Sequence, residues 1–93
     1  MTAAEWIAAV QADPAPHEIE FNRASGTVTF LATTEVELKA AFRRAADLPW
    51  TDFPLRLSRP DVARWVLVVP VDAAWLAEAI VFATAHTARL VRP

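Results

Sequence analysis

Apolar residues recur along the chain with two periods, one typical of helices and the other of strands. Helices are predicted over residues 2–12 and 34–47, because each stretch begins with a threonine followed three residues later by a glutamate. A third helix is predicted to be capped by Asp72 and to run to about residue 88. The expected inner stripe of the second helix consists of Leu38, Ala41, Phe42 and Ala45.

Strands are predicted where apolar and polar side chains alternate. Ile19 and Phe21 alternate with polar neighbours, and Gly26 provides a turn before the return strand, since glycine adopts positive φ without strain. A second hairpin is expected to turn at Arg59-Pro60-Asp61. The predicted strands cover residues 18–22, 27–32, 55–58 and 63–71.

The resulting order α-β-β-α-β-β-α predicts an α+β fold in which helices pack on a four-stranded, mainly antiparallel sheet. The 93 residues are expected to form a single domain, residues 1–93. The last predicted strand is apolar on both faces, with Val66 and Val68 on one side and Leu67 and Val69 on the other. Such a strand is expected inside a sheet covered on both sides, by a helix of the same chain or by a second subunit.

Composition and charge exclude several kinds of site. The formal net charge is −2, so no positive field favours nucleic acid or an anionic membrane. The absence of cysteine excludes disulfides, thiolate metal sites and a cysteine nucleophile. No signal-peptide pattern is visible at the start, and a cytoplasmic location is expected.

Residues 65–83 are almost long enough and apolar enough to suggest a membrane span. Pro70 would break a helix there, and the charges of Asp72 and Glu78 would be costly at the bilayer centre. We expect a buried strand followed by a helix instead, and no membrane association.

Residues that could support catalysis are scarce, and no catalytic residue or cofactor is predicted. One glycine leaves no room for a phosphate-binding loop, and Ser25 and Ser58 lie at or beside predicted turns with no histidine nearby.

The histidines do not predict a metal site. His17 is expected on the strand face opposite Glu18 and Glu20, so the three would not converge on one metal ion. His86 falls within the apolar stripe of the last helix, where a core or helix-end histidine is more common than a catalytic base.

Two segments have the composition of a binding surface. Trp50 and Phe53 lie in a loop stiffened by prolines, where aromatic side chains dock with little loss of entropy, although packing back on the core is the alternative. The outer side of the last helix is also apolar, which is typical of a helix covered by a partner, with a helix exposed only for its alanine content as the alternative. Its outward positions are Ala74, Ala77, Val81 and Ala85.

Three arginines on the second hairpin, Arg56, Arg59 and Arg64, are candidate ligands for an anion, with ordinary surface ion pairing as the alternative. The sequence therefore favours a small non-catalytic module for protein–protein interaction, acting as a homodimer or with another protein. Binding of a small ligand or anion by the arginine-bearing hairpin is the second hypothesis, and nucleic-acid binding is a weaker third.

Overall fold

In the part of the chain that the structure describes, three helices and four strands follow one another in the order predicted from the sequence. The structure is a computed structural model that describes residues 1–12, 18–51 and 55–86, the last three by their backbone alone. The α+β fold class is confirmed. The elements are α1 Ala3–Gln11, β1 Glu18–Asn22, β2 Thr27–Ala32, α2 Glu35–Ala45, β3 Arg56–Asp61, β4 Arg64–Pro70 and α3 Ala73–His86.

The four strands form one antiparallel sheet in the order β1-β2-β4-β3. The last strand therefore lies inside the sheet, as its apolar pattern predicts, and it pairs with β2 along one edge and with β3 along the other. The apolar stretch over residues 65–83 is divided between β4 and α3. Within the described residues, no helix combines the length and the hydropathy that crossing a bilayer requires.

The helices bury one face of the sheet over β1, β2 and most of β4, whereas Leu57 on the edge strand β3 stays 50 % exposed on that face. Ile19, Phe21, Val28, Phe30 and Leu67 on this face are at most 1 % exposed. All three helices contribute side chains to the same apolar cluster as these strand residues. The helix layer and this face of the sheet thus form the hydrophobic core.

Trp6 of α1 lies where the helices and the sheet meet. Its ring packs edge-on against Phe21, Phe30 and Trp75, with centroids 5.6–6.2 Å apart. Its indole Nε1–H donates to the Arg44 carbonyl at 2.9 Å. The last carbonyls of a helix have no partner within the helix, so this bond also joins α1 to the end of α2.

The helix starts are capped largely as the sequence indicates. Thr2 and Glu5 form a complete capping box on α1, and the hydrogen bond from the Thr2 backbone N–H lowers the pKa of Glu5 below its ordinary value. On α2, Thr34 accepts from the Glu37 backbone N–H, but the Glu37 carboxylate accepts from the Thr33 backbone N–H and hydroxyl instead of from Thr34. The capping role of Asp72 on α3 is confirmed by its bond from the Trp75 N–H.

The turns show one confirmed position and one error. Gly26 has φ of +69°, as the first hairpin requires. The second hairpin turns at Val62-Ala63, and the predicted turn at Arg59-Pro60-Asp61 is wrong because those residues belong to β3. Pro60 is tolerated there since β3 is an edge strand with a register shift between Ser58 and Asp61.

The inner side of α2 is also partly different from the prediction. Ala41 and Ala45 are buried as expected, but the third buried position is Ala40, and Phe42 is 39 % exposed. A helix side made of alanines can approach the sheet closely, and a phenylalanine does not fit in that contact. The large side chain therefore lies at the margin of the interface.

We expect Trp6→Phe to lower the free energy of unfolding by about 2–3 kcal/mol, because it removes a buried hydrogen bond and leaves a cavity. Trp50→Phe is the matched control. The Trp50 Nε1–H donates to the Ala45 carbonyl at the end of α2, at 2.7 Å, but Trp50 itself is 44 % exposed. Its expected loss is at most about 1.5 kcal/mol. Urea unfolding measures both, and equal losses would show that burial of Trp6 contributes nothing beyond its hydrogen bond.

Candidate interaction surfaces

The outer side of α3 is exposed and almost free of charge. Ala74, Ala77 and Val81 lie on this side, and Val81 is 67 % exposed. Glu78, between Ala77 and Val81 in the sequence, is the charged residue next to these positions. We call Ala74, Ala77 and Val81 the α3 stripe. The side chain of Ala85, the fourth position predicted for this surface, lies outside the described residues, and so does that of His86.

The sheet face opposite the helices carries a second apolar surface, which we call the open face. In an antiparallel sheet, residues directly opposite one another point to the same side. The strand pairing therefore places four side chains in each of two rows that cross the whole sheet. The first row is Glu20, Thr29, Val68 and Arg56, and the second is Glu18, Leu31, Val66 and Ser58.

The centre of the open face is apolar and incompletely covered. Leu31, Val66 and Val68 are half-buried, whereas Leu67 and Val69, their neighbours on the helix side, are fully buried. Neighbouring side chains on a sheet shield one another, which accounts for partial burial without any covering element. The strand that is apolar on both faces is thus fully covered on one of them only.

In the two complete rows of the open face, the charged residues lie at the two edges of the sheet. Arg64 shares this face by strand alternation, but it lies at the hairpin end of β4, 4.0 Å from the Asp61 carboxylate. Glu18 and Glu20 share this face on β1, as predicted, and Arg56 lies at the opposite edge on β3. Glu20 and Arg56 are separated by three strand spacings, or about 14 Å, which is too far for a direct ion pair. The open face is therefore acidic along one edge, apolar in the middle and basic along the other edge.

Trp50 is attached to the fold and still partly exposed. Its indole hydrogen bond to Ala45 holds one side of the ring, and its backbone forms a bridge with Val71 at the end of β4. The sequence offered two alternatives for Trp50, an aromatic contact presented by a loop or a side chain packed back on the core. The ring lies between the two, because it is held by its hydrogen bond but is not part of the core cluster. Phe53, the second predicted aromatic contact, lies outside the described residues.

The three hairpin arginines do not converge. The Arg59 guanidinium lies 4.4 Å from the centre of the Trp65 ring and donates to the Val62 carbonyl at 2.7 Å. Arg64 is 4.0 Å from the Asp61 carboxylate, while Arg56 is paired with a different residue of β4, Val68. An anion that used all three would have to displace two of these contacts, so anion binding by the hairpin stays a prediction.

The other polar side chains among the described residues do not form a recognisable catalytic or metal centre. Over residues 1–12, 18–51 and 55–86, no three histidine, aspartate or glutamate side chains come together as metal ligands. The Ser25 hydroxyl forms a hydrogen bond with that of Thr27 in the first hairpin, at 2.7 Å. His17 lies outside the described residues.

Comparison with models of protein families, with characterised proteins and with solved structures gives no match. The function must therefore be argued from the surfaces themselves. Sequence reasoning indicated the α3 stripe and Val66 and Val68, but it missed Leu31 and the charge arrangement of the open face. The missing signal was strand order, which decides which residues share a row.

We expect Arg59→Ala to lower the free energy of unfolding by about 0.5–2 kcal/mol, because it removes a cation–π contact and a hydrogen bond to the turn. Arg64→Ala is the control on the same hairpin. Its ion pair is more than half exposed, so its expected effect is below about 1 kcal/mol. Urea unfolding followed by tryptophan fluorescence measures both. A larger loss for Arg64→Ala would contradict the assigned role of Arg59.

Proposed function

We propose that this chain is a small, non-catalytic protein-interaction module that acts as a homodimer. The observation that carries the proposal is the position of β4, which lies inside the sheet and is fully covered by helices on only one of its two apolar faces. Covering Val66 and Val68 by a second copy would remove apolar surface from water, the main driving force of association.

The α3 stripe supports the same proposal from the other side of the molecule. Small side chains such as Ala74 and Ala77 allow another helix to approach closely. Val81, one turn further along α3, adds a larger exposed apolar side chain to the same surface. The stripe is available to a second copy or to a different protein. We also propose a cytoplasmic location, supported by the absence of cysteine.

Sedimentation equilibrium over about 1–500 μM tests the proposal. We expect reversible dimer formation in this range. Val68→Lys and Val81→Lys introduce a charge on the open face and on the α3 stripe respectively, and we expect at least one of them to abolish the dimer. Thr29→Lys tests the open face at a position that is already polar, in case Val68→Lys does not fold.

Val36→Lys is the matched control, because Val36 is also an exposed helical valine, 64 % exposed, but lies on α2. It should leave the dimer unchanged. A wild-type chain that stays monomeric up to the highest concentration would overturn the proposal.

A further inference from the structure

We infer that the second copy docks on the open face with its sheet turned so that β1 of one protomer lies over β3 of the other. This inference rests on the proposed homodimer and specifies its partner, its surface and its orientation. The observation that carries it is the row Glu20, Thr29, Val68 and Arg56, which begins with an acid and ends with a base.

Two simple two-fold axes can place one open face against another. An axis parallel to the strands, passing between β2 and β4, exchanges the two edges and lays β1 over the partner's β3. An axis across the strands lays β1 over the partner's β1 and β3 over its β3. The first arrangement brings Glu20 over the second copy's Arg56 twice per dimer, whereas the second brings like charges together.

The interior of the face fits the first arrangement. Rotation about an axis along the strands puts Leu31 over the second copy's Val66, and Thr29 over its Val68. Stacked sheets lie about 10 Å apart, a gap that half-buried valine and leucine side chains fill from both sides. A glutamate and an arginine extended toward each other at the edges also span that gap. Apolar contact in the centre and ion pairs at the rim match the anatomy of protein interfaces.

The size of the face sets the strength of the dimer. Four strands spaced about 4.8 Å apart, with the two complete rows and a shorter third row of Asn22, Thr27 and Pro70, cover a plan area of roughly 400 Å². Stable interfaces bury about 800 Å² of accessible surface on each partner, so the open face alone supports a weak dimer that separates on dilution. The rim ion pairs then contribute more to orientation than to affinity, because charge complementarity mainly gives specificity.

Charge reversal tests the orientation. We expect Glu20→Arg and Arg56→Glu each to weaken self-association roughly tenfold or more, because each creates two facing pairs of like charge per dimer. The double variant with both changes should return to within about threefold of wild type, since the opposite charges are restored with their places exchanged. Sedimentation equilibrium measures all three, and raising the salt concentration should weaken the wild-type dimer.

Glu35→Arg and Arg43→Glu are the matched controls. They change the net charge by the same amounts, but at exposed positions of α2 on the helix side. Neither should change the dimer, and circular dichroism checks that every variant is folded. If a reversal does not fold, Glu20→Gln and Arg56→Gln test the same pairs, with an expected weakening of a few-fold each.

The outcomes separate the orientation from the homodimer itself. A wild-type dimer that Val81→Lys abolishes and Val68→Lys does not would keep the homodimer and overturn this inference. The same holds if single reversals have no effect, or if the double variant is as weak as the singles. A chain that is monomeric at every concentration, with the open face covered by its own residues, would overturn both.

Discussion

Backbone pairing along both edges of β4 is the constraint on which the rest of the structure depends. Because β2 and β3 both pair with β4, the first hairpin and the second are joined into one sheet, and the two hairpins place their outer strands, β1 and β3, at opposite edges. The helices then have one continuous surface to cover, and the side chains of α1, α2 and α3 meet in a single cluster. Trp6 closes that cluster through its three ring contacts and its bond to the end of α2.

The same constraint leaves β4 apolar on both faces, although the helices bury Leu67 and Val69 on one face only. A strand buried on both faces is ordinarily apolar on both faces, and β4 has this pattern. Within the described residues the three helices share one layer, with α1 bonded to α2 through Trp6 and packed against α3 through Trp75. Val66 and Val68 thus have the composition of core residues and the exposure of half-covered ones.

Local signals were sufficient to predict the elements of this fold, because capping residues, Gly26 and the alternation of β1 and β2 act within a few positions of the chain. The errors arose where tertiary context decides. Pro60 was assigned to a turn, yet it fits an edge strand beside a bulge, and only strand order shows that β3 is an edge. Phe42 was assigned to the core, yet the buried positions of α2 are all alanines, Ala40, Ala41 and Ala45. The row from Glu20 to Arg56 joins residues 36 positions apart, and no local pattern reveals it.

The two apolar surfaces differ in what they can specify. The α3 stripe offers small side chains with one charge nearby, and such a surface gives close packing with little preference for one partner or one angle. The open face combines branched apolar side chains on a fixed strand spacing with acids and a base at opposite edges. Rigid backbone pairing holds these groups in register, so that a copy of the same face is complementary to it in shape and in charge. A surface of this kind selects its partner by geometry, and that is the physical reason for placing self-association on the sheet and leaving the α3 stripe for a different contact.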